Sequence, residues 1–259
     1  MFTSPIFELV SFFFKMLIFC LTFLKDGGIF TYQSSIKTLL TESSQVMNNV
    51  TDNRILAVLD DLFQRFPGLT PVKEEILMAY YIIKNAFVND KILFLAGNGG
   101  SCADAEHMAG ELIKAFRKKR PLSPEEKALF QDDEMASCLE KGLRCMTLNS
   151  HISFHTAYSN DKVPALVYAQ QLCTWGRQGD VFLGISTSGN AENIVKAMKA
   201  AKAKKMQTIL LTGPSGGKCA SLADCVIHAP GKETFLIQEH HLPIYHALCI
   251  MLEETFYDE

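Results

Sequence analysis

No C-x-x-C pair occurs among the 8 cysteines of this 259-residue chain, which stand at Cys20, Cys102, Cys138, Cys145, Cys173, Cys219, Cys225 and Cys249. That excludes a zinc-ribbon pattern and a thioredoxin-type motif. Scattered thiols in a chain of this size read as reduced, so the expected compartment is the cytoplasm. Charge of one sign is also scarce. A net charge of −3 excludes a general electrostatic attraction to nucleic acid, and no nucleic-acid partner is expected. There is no low-complexity tract and no internal repeat. Hydrophobic residues make up 48% and charged residues 20%, the balance of a globular chain and not of a disordered one. The length suits one large domain, or one domain with an appendage.

The appendage is at the N-terminus. Residues 5–24, PIFELVSFFFKMLIFCLTFL, match the roughly 20 apolar residues a bilayer span requires. Glu8 and Lys15 lie inside the run, and a charge near the centre of a span costs roughly 2.5–3.5 kcal/mol. No basic stretch precedes Pro5 and no small-x-small cleavage site follows, so a secretory signal fits poorly. Three readings stay open: a membrane anchor, an apolar helix packed on the body or a partner, and a translated stretch upstream of the real start. The third is favoured, with Met47 as the start, because a coherent helical pattern begins only after it. Residues 1–46 are therefore set apart from a domain at 47–259, and a membrane partner is expected only if the apolar run is real. Asn49-Val50-Thr51 matches a glycosylation acceptor by chance.

From Asp52 to Ala86 the pattern is helical: Ile55, Leu56, Leu59, Leu62 and Phe63, a break at Phe66-Pro67-Gly68, then Ile76, Leu77, Tyr80, Ile83 and Phe87. Beyond it, continuous apolar runs predict strands buried on both faces at Lys91–Ala96, Arg144–Asn149, Val181–Ile185, Gln207–Thr212 and Cys225–Ala229. Helical stretches at Ala103–Phe116, about Ala165–Trp175, Ala191–Lys205 and a closing segment to about Phe256 separate or follow them. Alternation of this kind predicts a parallel α/β sandwich with right-handed crossovers, preceded by N-terminal helices. Such sheets bind ligands beyond the carboxyl ends of their strands.

Polar loops fall at those ends. Gly97-Asn98-Gly99-Gly100-Ser101 opens a helix, whose N-terminus suits an anion. It is not the dinucleotide fingerprint, since Cys102 stands where the third glycine belongs, and no nucleotide cofactor is expected. Ser186-Thr187-Ser188-Gly189-Asn190 offers three successive hydroxyls, a phosphate cradle or an ordinary N-cap turn. Gly213-Pro214-Ser215-Gly216-Gly217-Lys218 resembles a nucleotide P-loop, but it is one residue short and Cys219 replaces the magnesium-binding hydroxyl, so it reads as a turn. His107 and Glu111 share a helix face. Gln238, Glu239, His240, His241 and His246 crowd the last helix, whose regular part is expected to begin near Pro243. Together these groups suit acid–base chemistry or a divalent metal, or are solvated helix contacts.

The segments AGNGGSCADAEHMAGEL, GDVFLGISTSGNAENIVKAMKAAK, ILLTGPSGGKCASLAD and IQEHHLPIYHALC, in this order, resemble the phosphoheptose isomerases, sugar-isomerase (SIS) domain proteins acting on sedoheptulose 7-phosphate. The likeness runs from about Met47 to the C-terminus. It implies a three-layer, flavodoxin-like sandwich with a five-stranded parallel sheet, and a homotetramer with interfacial active sites. It implies phosphate binding by Ser101, Ser186, Thr187 and Ser188. Asn98, Gly99, Gly100, Asp161, Asn190 and Gln238 are implied substrate contacts. Glu111 is the implied base and His246 its acid partner. His107, Glu111, Gln238 and His246 match the residues through which some members bind zinc. Departures are Ala191 for a serine, Leu236 for an arginine and Gly110 for an acidic residue. A long link from Pro121 to Cys145 is expected to add a helix over the site or the interface. A regulatory phosphosugar-binding module without catalysis is the alternative, although such a binder needs no Glu111/His246 pair.

Overall fold

The computed structural model describes residues 53–257, so the apolar run at 5–24, Met47 and Asn49 lie outside the described residues. Helix α1 (Asn53–Arg65) buries Ile55, Leu59 and Leu62, the three-and-four spacing of one helix face. A 3₁₀ turn (Pro67–Val72) leads into α2 (Lys73–Val88), whose first turn carries Glu74 and Glu75 against the positive dipole end.

The five runs of apolar residues form one parallel sheet. Its strands are β1 (Leu93–Ala96), β2 (Cys145–Thr147), β3 (Val181–Ser186), β4 (Gln207–Thr212) and β5 (Cys225–His228), in the order β2-β1-β3-β4-β5. Leu93 pairs with Cys145 on one side and Val181 on the other, so register runs across the middle of the sheet. Alternate residues of each strand enter different cores. Leu93, Leu95, Leu183 and Ile185 pack with α1, α2, α3 (Gly100–Ile113) and α10 (Thr234–Phe256). Phe94, Ala96, Phe182 and Leu210 pack with α7 (Val167–Trp175) and α8 (Glu192–Ala203). The result is the three-layer sandwich expected. Strand order reverses between β1 and β3, and ligands of such sheets lie beyond that switch point.

Three features differ from the reading of the sequence or go beyond it. Helix α10 runs through Pro243 instead of starting near it. Proline in a helix interior costs about 3 kcal/mol, but Ile237, His241, Ile244, Tyr245 and Leu248 are buried on both sides of it, and packing carries the helix across. Helix α6 (Ile152–Asp161) went unread because it buries no residue and so shows no apolar stripe. The long link forms two short helices, α4 (Pro124–Ala128) and α5 (Asp133–Cys138). Ser123 and Glu126 close a capping box on α4, and Asp132 caps α5. The link leaves and rejoins at the C-terminal end of α3, where Leu143 N–H bonds Leu112 O at 2.9 Å. The remaining helix, α9 (Gly217–Ala220), is a single turn. Among the described residues no helix is long and apolar enough to cross a membrane.

Candidate active site

Helices α3 and α10 both return from the carboxyl end of the sheet, so they lie side by side and parallel. Contacts pair off in ascending order along them. The Gln238 side chain lies against Gly100, where an added Cβ would come within 2.6 Å of Gln238 Nε2. His241 Nδ1 stands 3.9 Å from Asp104 Oδ2. Tyr245 Oη hydrogen-bonds His107 Nδ1 at 3.0 Å. The Cys249 thiol reaches the Met108 carbonyl at 3.9 Å. This register brings Glu111 and His246 together around His107. His107 Nε2 is 3.1 Å from Glu111 Oε1, and its ring meets His246 edge-on at 5.0 Å. Lys114 Nζ bonds the other Glu111 oxygen at 2.9 Å. Glu111 is mostly covered, its side chain 13% exposed, whereas His107 is 45% exposed.

Burial pushes the His246 imidazole below its ordinary value; the nearby charges of His107 and Arg65 add to this, and Glu111 opposes it. His246 Nε2 is buried and has no hydrogen-bond partner among the described residues. A neutral imidazole with a free ring nitrogen can take up or hand over a hydroxyl proton. Beneath it, burial raises Asp104 to about 6, against the lowering influence of adjoining Tyr245 and of His107. Burial also holds His241 down to about 4, which the Thr212 backbone offsets only in part.

The hydroxyl loops stand at the switch point. Ser101 and Ser186 are buried, Thr187 is half-buried and Ser188 is exposed. Asn98 after β1 and Asn193 at the start of α8 exchange two side-chain hydrogen bonds of 2.9 Å, joining the two loops. Asn149 and Tyr168 fix the first loop by hydrogen bonds to the Gly97 carbonyl, both 2.8 Å. The Ser188 hydroxyl accepts from Asn190 N–H at 3.2 Å. Gly189 has φ +62°, and a Cβ there would sit 1.9 Å from Gly216 O. The loop after β4, read as a turn, is thus a buttress. Gly213 N–H donates to Thr187 O at 3.0 Å, Cys219 N–H to Gly189 O at 2.9 Å, and Lys218 N–H to Asn190 Oδ1 at 3.0 Å.

Other candidates stand apart. Asp161, at the end of α6, accepts from Asn160 at 2.9 Å, and no hydrogen bond or ion pair joins it to the groups above. Gly99 is the α3 N-cap, with φ +57°. Ala191 caps α8 without a side-chain bond. A Cβ at Gly110 would meet nothing within 4 Å, so its missing carboxylate reflects no crowding. The His107, Glu111, Gln238 and His246 donors are of the nitrogen and oxygen types zinc takes, and the orphaned His246 Nε2 suits a ligand. As they stand, no three His, Cys, Asp or Glu side chains among the described residues could hold one ion. Sequence reasoning missed Asn149, which the rule of strand carboxyl ends would have found. It also missed Tyr245, Asp104 and Asn193, whose partners are distant in the chain.

A 2-1-3-4-5 parallel sheet with hydroxyl loops at its switch point, and a carboxylate and an imidazole converging from two parallel helices, defines a SIS-domain protein. The SIS domain model matches residues 68–147 and 140–213. The phosphoheptose isomerase of Aneurinibacillus thermoaerophilus is 40% identical over 171 residues, 66% of this chain and 76% of that protein. That of Helicobacter pylori is 33% identical over 82% of this chain and 98% of its own length. The solved phosphoheptose isomerase GmhA of Neisseria gonorrhoeae superposes with a TM-score of 0.61 at 30% identity, over 78% of this chain and 98% of that one. The chain belongs to the phosphoheptose isomerase family.

Proposed function

We propose that the protein is an aldose–ketose isomerase that converts sedoheptulose 7-phosphate to D-glycero-D-manno-heptose 7-phosphate through an enediol. The observation that carries this reading is the meeting of Glu111 and His246 around His107. The substrate phosphate is held by the hydroxyls of Ser101, Ser186, Thr187 and Ser188, with the α3 N-terminus behind it. Glu111 removes the C1 proton, His246 moves the hydroxyl proton between O1 and O2, and Glu111 returns the proton to C2. Positioned acid–base groups of this kind each contribute about 10²–10⁴-fold.

The decisive experiment is incubation with sedoheptulose 7-phosphate in D₂O, followed at C1 and C2 by NMR. Deuterium incorporation with aldose formation is the expected result; neither, under conditions where a known isomerase works, rejects the substrate and leaves a phosphosugar-binding module. Glu111→Gln is expected to abolish turnover while thermal stabilisation by inorganic phosphate survives, because Glu111 lies nearly three turns, about 15 Å, along α3 from Ser101, and the other phosphate hydroxyls are on the loop after β3. Retained turnover places the base elsewhere.

Three finer points belong to the proposal. The protein works as a cytoplasmic homotetramer, which light scattering tests through the solution mass. Zinc would be held by His107, Glu111, Gln238 and His246 once all four side chains turn toward one point, and it would supply Lewis-acid polarisation of the carbonyl. Elemental analysis of protein purified without chelators is expected to find zinc in the wild type and lose it in His107→Ala. Equal metal content in the two proteins refutes that ligand set.

A further inference from the structure

Helix α3 ends two residues after Glu111, at Ile113, where its last carbonyls need partners. Lys114, in extended conformation, terminates it. The Glu111 and Leu112 carbonyls accept instead from Arg120, at 3.1 Å from Nη2 and 2.8 Å from Nη1. The same guanidinium donates from Nε at 3.0 Å to Glu253 Oε1, with Nη2 at 2.9 Å, and lies 4.6 Å over the Tyr257 ring. Both partners are sealed from solvent, the side chains 0% and 2% exposed.

Glu253 closes the circuit. Its Oε1 and Oε2 accept from Phe116 N–H at 3.0 Å and Arg117 N–H at 2.9 Å, fixing the chain just past α3. Phe116 in turn lays its ring 5.5 Å from His246. Glu253 and His246 are seven residues apart on α10, two turns along one face. One buried unit therefore touches both reacting residues: Glu111 through its carbonyl, His246 through the Phe116 ring and the shared helix.

Stability alone is a poor reason for this pair. Replacing a buried ion pair by apolar residues is often neutral or stabilising, while removing one partner is costly. We propose that Arg120 and Glu253 are positioning residues whose clamp sets where the Glu111 carboxylate stands relative to His246. The proposal rests on the isomerase reading. A planar fork suits this role, because donors spread over Nε, Nη1 and Nη2 reach two carbonyls and a carboxylate on different sides at once; the three donors of a lysine sit on one nitrogen and lack that spread.

Arg120→Lys and the double variant Arg120→Met/Glu253→Met test it, with folding checked by circular dichroism. A displacement of about 1 Å in reacting groups costs roughly 10²-fold. Both variants are expected to lose about 30- to 100-fold in kcat. KM for sedoheptulose 7-phosphate and stabilisation by inorganic phosphate should stay within about twofold, since the phosphate loops lie at the other end of α3, about 20 Å away at 1.5 Å per residue. Should the double variant not fold, Arg120→Lys, which keeps the charge, decides. A folded Arg120→Lys with wild-type kcat overturns the clamp. So does a loss of kcat matched by an equal loss of phosphate affinity, the mark of general loosening. Wild type assayed alongside keeps the two ideas apart: no C1 exchange in wild type overturns the isomerase reading and the clamp with it, whereas wild-type exchange with unaffected variants overturns the clamp alone.

Discussion

Asp104 and His241 are a carboxyl and an imidazole buried 3.9 Å apart whose titrations oppose one another. Burial raises Asp104 from 3.8 to about 6. Its contribution to stability is fully present below pH 3.8 and is lost as pH rises through 6. Burial lowers His241 from 6.5 to about 4, so its contribution is present above pH 6.5 and lost as pH falls through 4. Asp104→Asn removes the first limb and keeps the second. Its melting temperature relative to wild type is expected to climb between pH 4 and pH 6 and level off above. A difference that stays flat across that window, measured by differential scanning calorimetry, contradicts the assignment. Their pairing was invisible in the sequence, although His241 itself stood out in the histidine cluster of the last helix. Asp104 and His241 are 137 positions apart, and only the register of α3 on α10 makes them neighbours. By contrast Glu111 and His107 were legible, because an i, i+4 pair needs nothing but a helix to bring it together.

Elements were legible where burial was complete. All five strands announced themselves as apolar runs, since a parallel sheet covered on both faces leaves no polar alternation. Helix α10 was read two turns short because Pro243 is a local signal and the packing that overrides it is not local. The loops behave likewise. Ser186-Thr187-Ser188 was readable as a phosphate cradle, but its support by the Gly213–Lys218 turn was not. Gly189 is where that support becomes a constraint, combining φ +62° with the Gly216 carbonyl at 1.9 Å from any Cβ. Gly189→Ala must therefore shift one loop or the other, with backbone strain of about 1–3 kcal/mol. It is expected to lower the melting temperature and weaken phosphate binding together, measured by thermal shift with and without phosphate. Unchanged phosphate binding in the alanine variant would mean that the two loops do not depend on each other.

At the scale of the molecule, the fold separates the proposed phosphate hydroxyls from the proposed acid–base pair. The switch point between β1 and β3 gathers the hydroxyls, while Glu111 and His246, the proposed acid–base pair, sit further along α3 and α10. The anion site should then be removable without touching the base, and the reverse. Stabilisation by a ligand at 100 times its Kd is about 2.7 kcal/mol, large enough to read as a melting shift. Ser186→Ala/Ser188→Ala is expected to shrink the shift given by inorganic phosphate and to raise KM, because two of the four hydroxyls that hold the substrate phosphate are gone. Glu111→Gln is expected to keep the full shift while kcat collapses. A phosphate shift of full wild-type size after loss of both serine hydroxyls shows that neither serine contacts the anion. One that vanishes in Glu111→Gln shows that the carboxylate and the phosphate pocket are a single coupled unit, against the division that this arrangement of sheet and helices implies.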